Sequence, residues 1–210
     1  YFLFIGQGED KKKFLEISNK LNISDKVFVP MSFGGGVNSI DTAKLYFNNG
    51  ADKIIINSCV FNNKKIIKKI SDYYGASSII ISIDVKLYKN KHYVFINNGR
   101  INTSIEIQKY LEFLNDINFA EIYINSIDND GTGNGIDKKL ILKLKNNDYK
   151  FIITGGLGNF NHFYEGFKTN DKIKAIATAN LLNFMGDSLK IVRQKLIEKK
   201  IDLSSREIFL

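Results

Sequence analysis

The chain has 210 residues, 44% hydrophobic and 25% charged, which is enough apolar material for one sizeable core in a single globular domain. One cysteine, Cys59, excludes an intrachain disulfide framework and fits a reducing, cytoplasmic compartment, and no apolar run approaches the ~18 residues that span a bilayer. The net charge of +8 comes from lysines scattered along the chain, so it reads as solvated helix faces able to draw in an anionic substrate and not as a nucleic-acid surface.

Taken in order, short apolar runs at residues 2–5, 27–33, 53–57, 79–84, 121–125, 151–154 and 174–178 predict seven strands with helical segments between them. Ile107, Tyr110, Leu111 and Leu114 fall at i, i+3, i+4 and i+7, and Phe160, Phe163, Tyr164 and Phe167 repeat that spacing. Thr103 with Glu106 has capping-box spacing, and Asp137 and Asp187 are placed to cap the helices after them. Strand then helix, repeated, means a parallel sheet. Residues 87–100, with Asn98-Gly99 as a turn signal, break the rhythm and predict a small hairpin on the rim.

An internal repeat narrows the fold. Phe33-Gly34-Gly35-Gly36-Val37-Asn38 and Thr154-Gly155-Gly156-Leu157-Gly158-Asn159 each end a strand and open a helix, and from Gly35 to Gly156 is 156 − 35 = 121 residues. A closed barrel of eight strand-helix units takes about 250 residues, so the separation is half a barrel. The expectation is a (βα)8 TIM barrel built by half-barrel duplication, a single domain over 1–210 with seven of the eight βα units and the first one lacking, since the chain opens at Tyr1 directly on an apolar run.

In such a barrel the C-terminal ends of the strands carry the active site. Asp84 closes the apolar run 78–83, which makes it the candidate acid or base. By the repeat, Asp84 on the fifth barrel strand has a counterpart on the first, and a facing carboxylate is expected there. Glycines at the two repeat turns, Gly35 and Gly36 in one and Gly155 and Gly156 in the other, let backbone amides and helix N-termini approach an anion, so a substrate with a phosphate at each end fits. Tight strand-to-helix turns explain the same glycines without a ligand. Asn57 and Ser58 after one strand and Ala179 and Asn180 after another occupy equivalent places to complete the cradles.

The loop from Ser126 to Gly135 places Asp128, Asp130 and Gly131 after a buried strand, where they can hold sugar hydroxyls or simply form Asx turns. No calcium-loop spacing is present, and His92 and His162 read as surface or packing residues, so neither a metal nor a cofactor is expected. Lys53 and Glu121 each start a strand, on the opposite face, and read as an axial gate or as a solvated salt bridge.

Gly34-Gly35-Gly36-Val37, Gly50-Ala51-Asp52-Lys53 with Asn57-Ser58, Ile83-Asp84-Val85-Lys86, Asn125 to Thr132, and Gly155-Gly156-Leu157-Gly158 resemble, in order and spacing, the cyclase subunit of imidazole glycerol phosphate synthase, the HisF family. The resemblance covers essentially the whole chain. It implies an ammonia-dependent cyclase and lyase of histidine biosynthesis, fed by a glutaminase subunit at the N-terminal face of the barrel. The substrate would be a bis-phosphorylated ribulosyl aminoimidazole carboxamide nucleotide, and the products imidazole glycerol phosphate and an aminoimidazole carboxamide ribotide. It further implies Asp84 as catalytic, Asn125 and Asp130 in the site, the glycine cradles with Asn57, Ser58, Ala179 and Asn180 on the phosphates, and Lys53 with Glu121 as the ammonia gate.

Where the family usually has glutamine and threonine, this chain has Ser77 and Asn125. Pro30 to Gly36, together with Asn125 and Leu181 to Gly186, resembles a sister group of barrels in surface-polysaccharide clusters, which implies the alternative of an ammonia-channelling subunit serving a sugar amidotransferase. A third reading is a phosphate-binding scaffold without catalysis.

Overall fold

The computed structural model describes residues 2–6, 8–21, 26–179 and 188–203, so the expected cap Asp187 and the expected site residue Asn180 lie outside the described residues. All seven expected strands form: β1 (Phe2–Ile5), β2 (Met31–Gly34), β3 (Lys53–Ile56), β4 (Ile79–Tyr88), β7 (Glu121–Ser126), β8 (Phe151–Thr154) and β9 (Ile173–Ile176), with β5 (Lys91–Ile96) and β6 (Ile101–Glu106) added between β4 and β7. Among the described residues the helices are α1 (Gly8–Leu21), α2 (Ile40–Asn48), α3 (Ser58–Asn62), α4 (Lys65–Tyr74), α5 (Ile107–Phe113), α6 (Lys138–Lys143), α7 (Phe160–Thr169) and α8 (Ser188–Glu198). None of these is long and apolar enough to cross a membrane.

The chain divides into two compact units, one running to Tyr123 and the other from Ile124 onward. In the first unit the strand order is β1-β2-β3-β4-β7, with β1 to β4 parallel and in register through pairs such as Phe33 with Ile54 and Ile54 with Ile79. The second unit takes the end of β7, then β8 and β9, the last two parallel from Phe151 opposite Ile173. Strands β2 and β8 are buried at every position, as the unbroken apolar runs require of a sheet covered on both faces.

Helical spacing delivers the rest of each core. Ile107, Tyr110, Leu111 and Leu114 are all buried, each worth about 1.5–3 kcal/mol of transfer free energy for a side chain of that size. In α7 the expected stripe is shallower, with Phe163 and Gly166 buried and Phe160, Tyr164 and Phe167 half-buried. Near the start of the chain, Phe33 is met edge-on by Phe4, Phe14 and Tyr46, with ring centroids 5.0 to 6.4 Å apart.

Three expectations are corrected. The second expected strand starts at Met31 and not at residue 27, because Pro30 has no N–H for a ladder and Phe28 is 89% exposed. The expected small hairpin is a three-stranded antiparallel meander: β4 runs past Asp84 to Tyr88 and turns at Lys89-Asn90, both at positive φ, into β5, which turns again through Asn97-Asn98-Gly99 into β6. The Lys89-Asn90 turn lacked a glycine to announce it. The capping box from Thr103 to Glu106 does not form, because Thr103 sits in β6 and donates its hydroxyl to the Val94 carbonyl at 2.8 Å, while Glu106 pairs with Lys91 at 2.5 Å. Asp137 does cap α6, accepting from the Leu140 amide at 2.9 Å.

Candidate functional site

The two glycine turns are built alike. Strand β2 ends at Gly34, Gly35 and Gly36 take φ of +103° and +66°, and Ser39 caps α2 by accepting from the Thr42 amide at 3.1 Å. Strand β8 ends at Thr154, Gly155 and Gly156 take φ of +100° and +87°, and Asn159 caps α7 by accepting from the His162 amide at 3.3 Å. A Cβ on Gly35 would lie well inside 3.0 Å of the Gly6 carbonyl oxygen beyond β1, and one on Gly155 would lie 2.6 Å from the Ser126 carbonyl oxygen ending β7.

Turn, cap and preceding strand therefore all match with Gly35 opposite Gly155, a separation of 155 − 35 = 120 residues. Matching glycine to glycine by letter placed Gly156 opposite Gly35, one residue out. The reason is Gly34, which belongs to the strand and not to the turn: its Cβ would come within 2.8 Å of the Ile55 Cβ on β3.

Behind the first turn stands a residue that the sequence reading missed. Tyr46 of α2 is buried and shares its hydroxyl between the Gly34 carbonyl at 3.0 Å and the Gly35 carbonyl at 2.7 Å. Tying those carbonyls back fixes the peptide planes of the turn. Its sequence signal was faint, an aromatic three residues after Ala43 on the buried face of α2. Tyr46→Phe should destabilise the fold by about 1–3 kcal/mol in chemical denaturation, since two carbonyl acceptors, one buried and one part-buried, lose their donor. Burial pushes the Tyr46 phenol up to about 12 from 10.0. Its share of stability is fully present below pH 10 and is lost as pH rises through about 12, a loss that alkaline denaturation of the wild type should show and Tyr46→Phe should lack.

Strands β3 and β4 bring two expected site residues into contact. Asn57 follows β3, Asp84 lies on β4 where the strand leaves β3 for β5, and the Asn57 amide donates to Asp84 Oδ2 at 2.9 Å. Ser82, on the same face of β4 two residues before Asp84, lies 3.5 Å from that amide nitrogen. Ser58 accepts from the Asn97 amide of the β5–β6 turn at 2.9 Å, so its hydroxyl ties the meander to the start of α3. At the other ends of the strands, Lys53 Nζ and Glu121 Oε2 meet at 2.7 Å, with only 17% and 13% of their side chains exposed. The two charges expected separately at strand starts thus face one another as a largely buried pair.

In the second unit Asp130, Gly131, Thr154, Gly155, Gly156, Leu157, Thr178 and Ala179 line a shallow, open depression. Five of these were expected site residues. Thr154 at the end of β8, Leu157 in the glycine turn and Thr178 just past β9 were not among the expected site residues, since none is a residue type out of place there. Both loop aspartates are exposed, and of the two Asp130 lines the depression. The loop is tied down, with Asn129 donating to the Gly135 carbonyl at 2.8 Å and the Gly135 amide to the Gly156 carbonyl at 2.7 Å. Asn125 stands half-buried on β7 just before this loop. His162 packs on the same segment, its Nδ1 accepting from the Gly158 amide at 3.1 Å, while His92 is buried in the meander.

Parallel strands alternating with helices, duplicated glycine turns after β2 and β8, and an acid at a strand's C-terminal side define a (βα)8-barrel protein of the half-barrel-duplication class. The family described as histidine biosynthesis protein matches residues 7–186. The putative imidazole glycerol phosphate synthase subunit hisF2 of Parasynechococcus marenigrum (strain WH8102) is 40% identical over 175 residues, 83% of this chain and 65% of that relative. The imidazole glycerol phosphate synthase subunit HisF of Chlorobium limicola (strain DSM 245 / NBRC 103803 / 6330) is 33% identical over 92% of this chain and 76% of its own length, and that of Sulfurisphaera tokodaii (strain DSM 16993 / JCM 10545 / NBRC 100140 / 7) is 34% identical over 93% and 77%. The chain belongs to the histidine biosynthesis protein family, as a HisF-type barrel. It spans less than two thirds of the hisF2 relative and about three quarters of the other two.

Proposed function

We propose that the protein is an ammonia-dependent cyclase and lyase that converts the bis-phosphorylated ribulosyl aminoimidazole carboxamide nucleotide to imidazole glycerol phosphate and aminoimidazole carboxamide ribotide. The observation that carries this reading is the Asp84 carboxylate at the C-terminal side of the parallel strands, gripped by the Asn57 amide at 2.9 Å. A carboxylate held there moves protons to and from a substrate while ammonia closes the imidazole ring. The substrate has two phosphates, and each unit carries one glycine turn whose amides and following helix suit a phosphate. Either turn would hold a phosphate through its backbone amides, and Asp130 beside Gly155 and Gly156 would accept from a sugar hydroxyl. The test is turnover of the bis-phosphate by the full-length protein with ammonium salt in place of a partner.

A glutaminase subunit at the N-terminal face would supply ammonia in the cell, and the Lys53–Glu121 pair supports that reading by its position at the strand starts. Glu121→Gln removes one charge from a largely buried pair and should cost about 1–3 kcal/mol in stability, below the 3–5 of a fully buried pair. The expected kinetic outcome is loss of glutamine-driven synthesis with ammonium-driven synthesis held within about twofold. Equal loss in both assays would remove the pair from the ammonia route.

Asn125 favours a second reading, an ammonia-delivering barrel serving a sugar amidotransferase, because it replaces the threonine usual in the cyclases. Under that reading the wild type binds phosphate and passes ammonia without turning over the nucleotide.

A further inference from the structure

We propose that Asn57 is the positioning residue of Asp84 and not a phosphate ligand, an inference that rests on the cyclase reading and deepens it. Asn57 occupies the N-cap of α3, where an asparagine side chain ordinarily accepts from the amides of the first turn. Here it makes no such bond. Its amide group is turned instead toward β4, donating to Asp84 Oδ2 at 2.9 Å with Ser82 Oγ 3.5 Å away. Helix α3 has five residues, too few to offer a phosphate a useful dipole, and the Ser58 hydroxyl beside Asn57 is engaged by the Asn97 amide.

The local preference of the residue has thus been overridden by a contact across two strands. A neutral amide donor on one carboxylate oxygen fixes the rotamer of Asp84. Strands β3 and β4 are in register from Ile54 opposite Ile79 to Ile56 opposite Ile81, so Asn57 emerges beside the end of that pairing and its short side chain spans the gap. Serine or alanine there would stop short of the carboxylate, and aspartate would set two acids face to face.

The experiment compares Asn57→Ala and Asn57→Asp with wild type in kcat and KM for the bis-phosphate at saturating ammonium, in inorganic phosphate affinity, and in the 13C resonance of the Asp84 carboxyl, assigned by its absence in Asp84→Asn. The expected result is a kcat lowered about 10- to 100-fold in Asn57→Ala and further in Asn57→Asp, with KM and phosphate affinity within about twofold. The Asp84 resonance should move in both variants. A raised KM and weakened phosphate binding with kcat intact would overturn the proposal and return Asn57 to the cradle. Should the wild type fail to turn over, the cyclase reading falls by itself, and the resonance still decides the positioning role: an unmoved Asp84 signal in Asn57→Ala overturns it.

Discussion

Replacing Asp84 by asparagine should lower turnover of the bis-phosphate nucleotide by about 10²- to 10⁴-fold, the usual contribution of a general acid or base, while leaving substrate affinity and the fold in place. The variant keeps the shape of the side chain and an oxygen to accept from the Asn57 amide, so the packing where β4 parts from β3 survives. What is lost is the capacity to take up and return a proton. Steady-state kinetics with ammonium, isothermal titration with substrate and a thermal melt together separate these outcomes. A variant that retains wild-type kcat would take Asp84 out of the chemistry and with it the cyclase reading.

The second large effect is on stability. Gly35→Ala should destabilise the protein by about 3–5 kcal/mol: an L residue at φ of +103° costs about 1–3 kcal/mol, and the new methyl group overlaps the Gly6 carbonyl oxygen, which is itself tied through the Gly6 amide to the Gly34 carbonyl at 3.1 Å. Against a typical stability of 5–15 kcal/mol that is a large fraction. Gly36→Ala is the control. It also has positive φ, +66°, but nothing lies within 4 Å of its Cβ, so the cost should be about 1–2 kcal/mol. Chemical denaturation of the pair measures the contribution of close approach as distinct from that of backbone conformation.

How far the sequence carried can be judged residue by residue. The seven parallel strands and the α5 stripe were legible because burial imposes a period, and Ile107, Tyr110, Leu111 and Leu114 obey it in full. Asp84, the glycine turns and Asp130 were legible because each is a residue type out of place, an acid ending an apolar run or a glycine where a side chain would collide. The meander was half legible: Asn98-Gly99 declared one turn, but Lys89-Asn90 closes a two-residue turn with side chains that tolerate positive φ without advertising it. Tyr46 and the grip of Asn57 on Asp84 were not legible, since both depend on which strands lie side by side. The one-residue error in the repeat has the same origin, because a strand glycine and a turn glycine are the same letter.

Strand β4 does not finish at the acid it carries. Its first residues pair with β3 through Ile81, and from Asp84 onward it pairs with β5, so the carboxylate sits at a splice between a parallel and an antiparallel ladder. Beyond the splice, Val85 and Val94 are buried as deeply as the apolar residues of the central strands, and Ile96 is buried as well. The rim of the first unit is therefore a clamped beam and not a trailing flap, and slow amide hydrogen exchange, ordinarily a mark of the interior, should extend along it past Asp84.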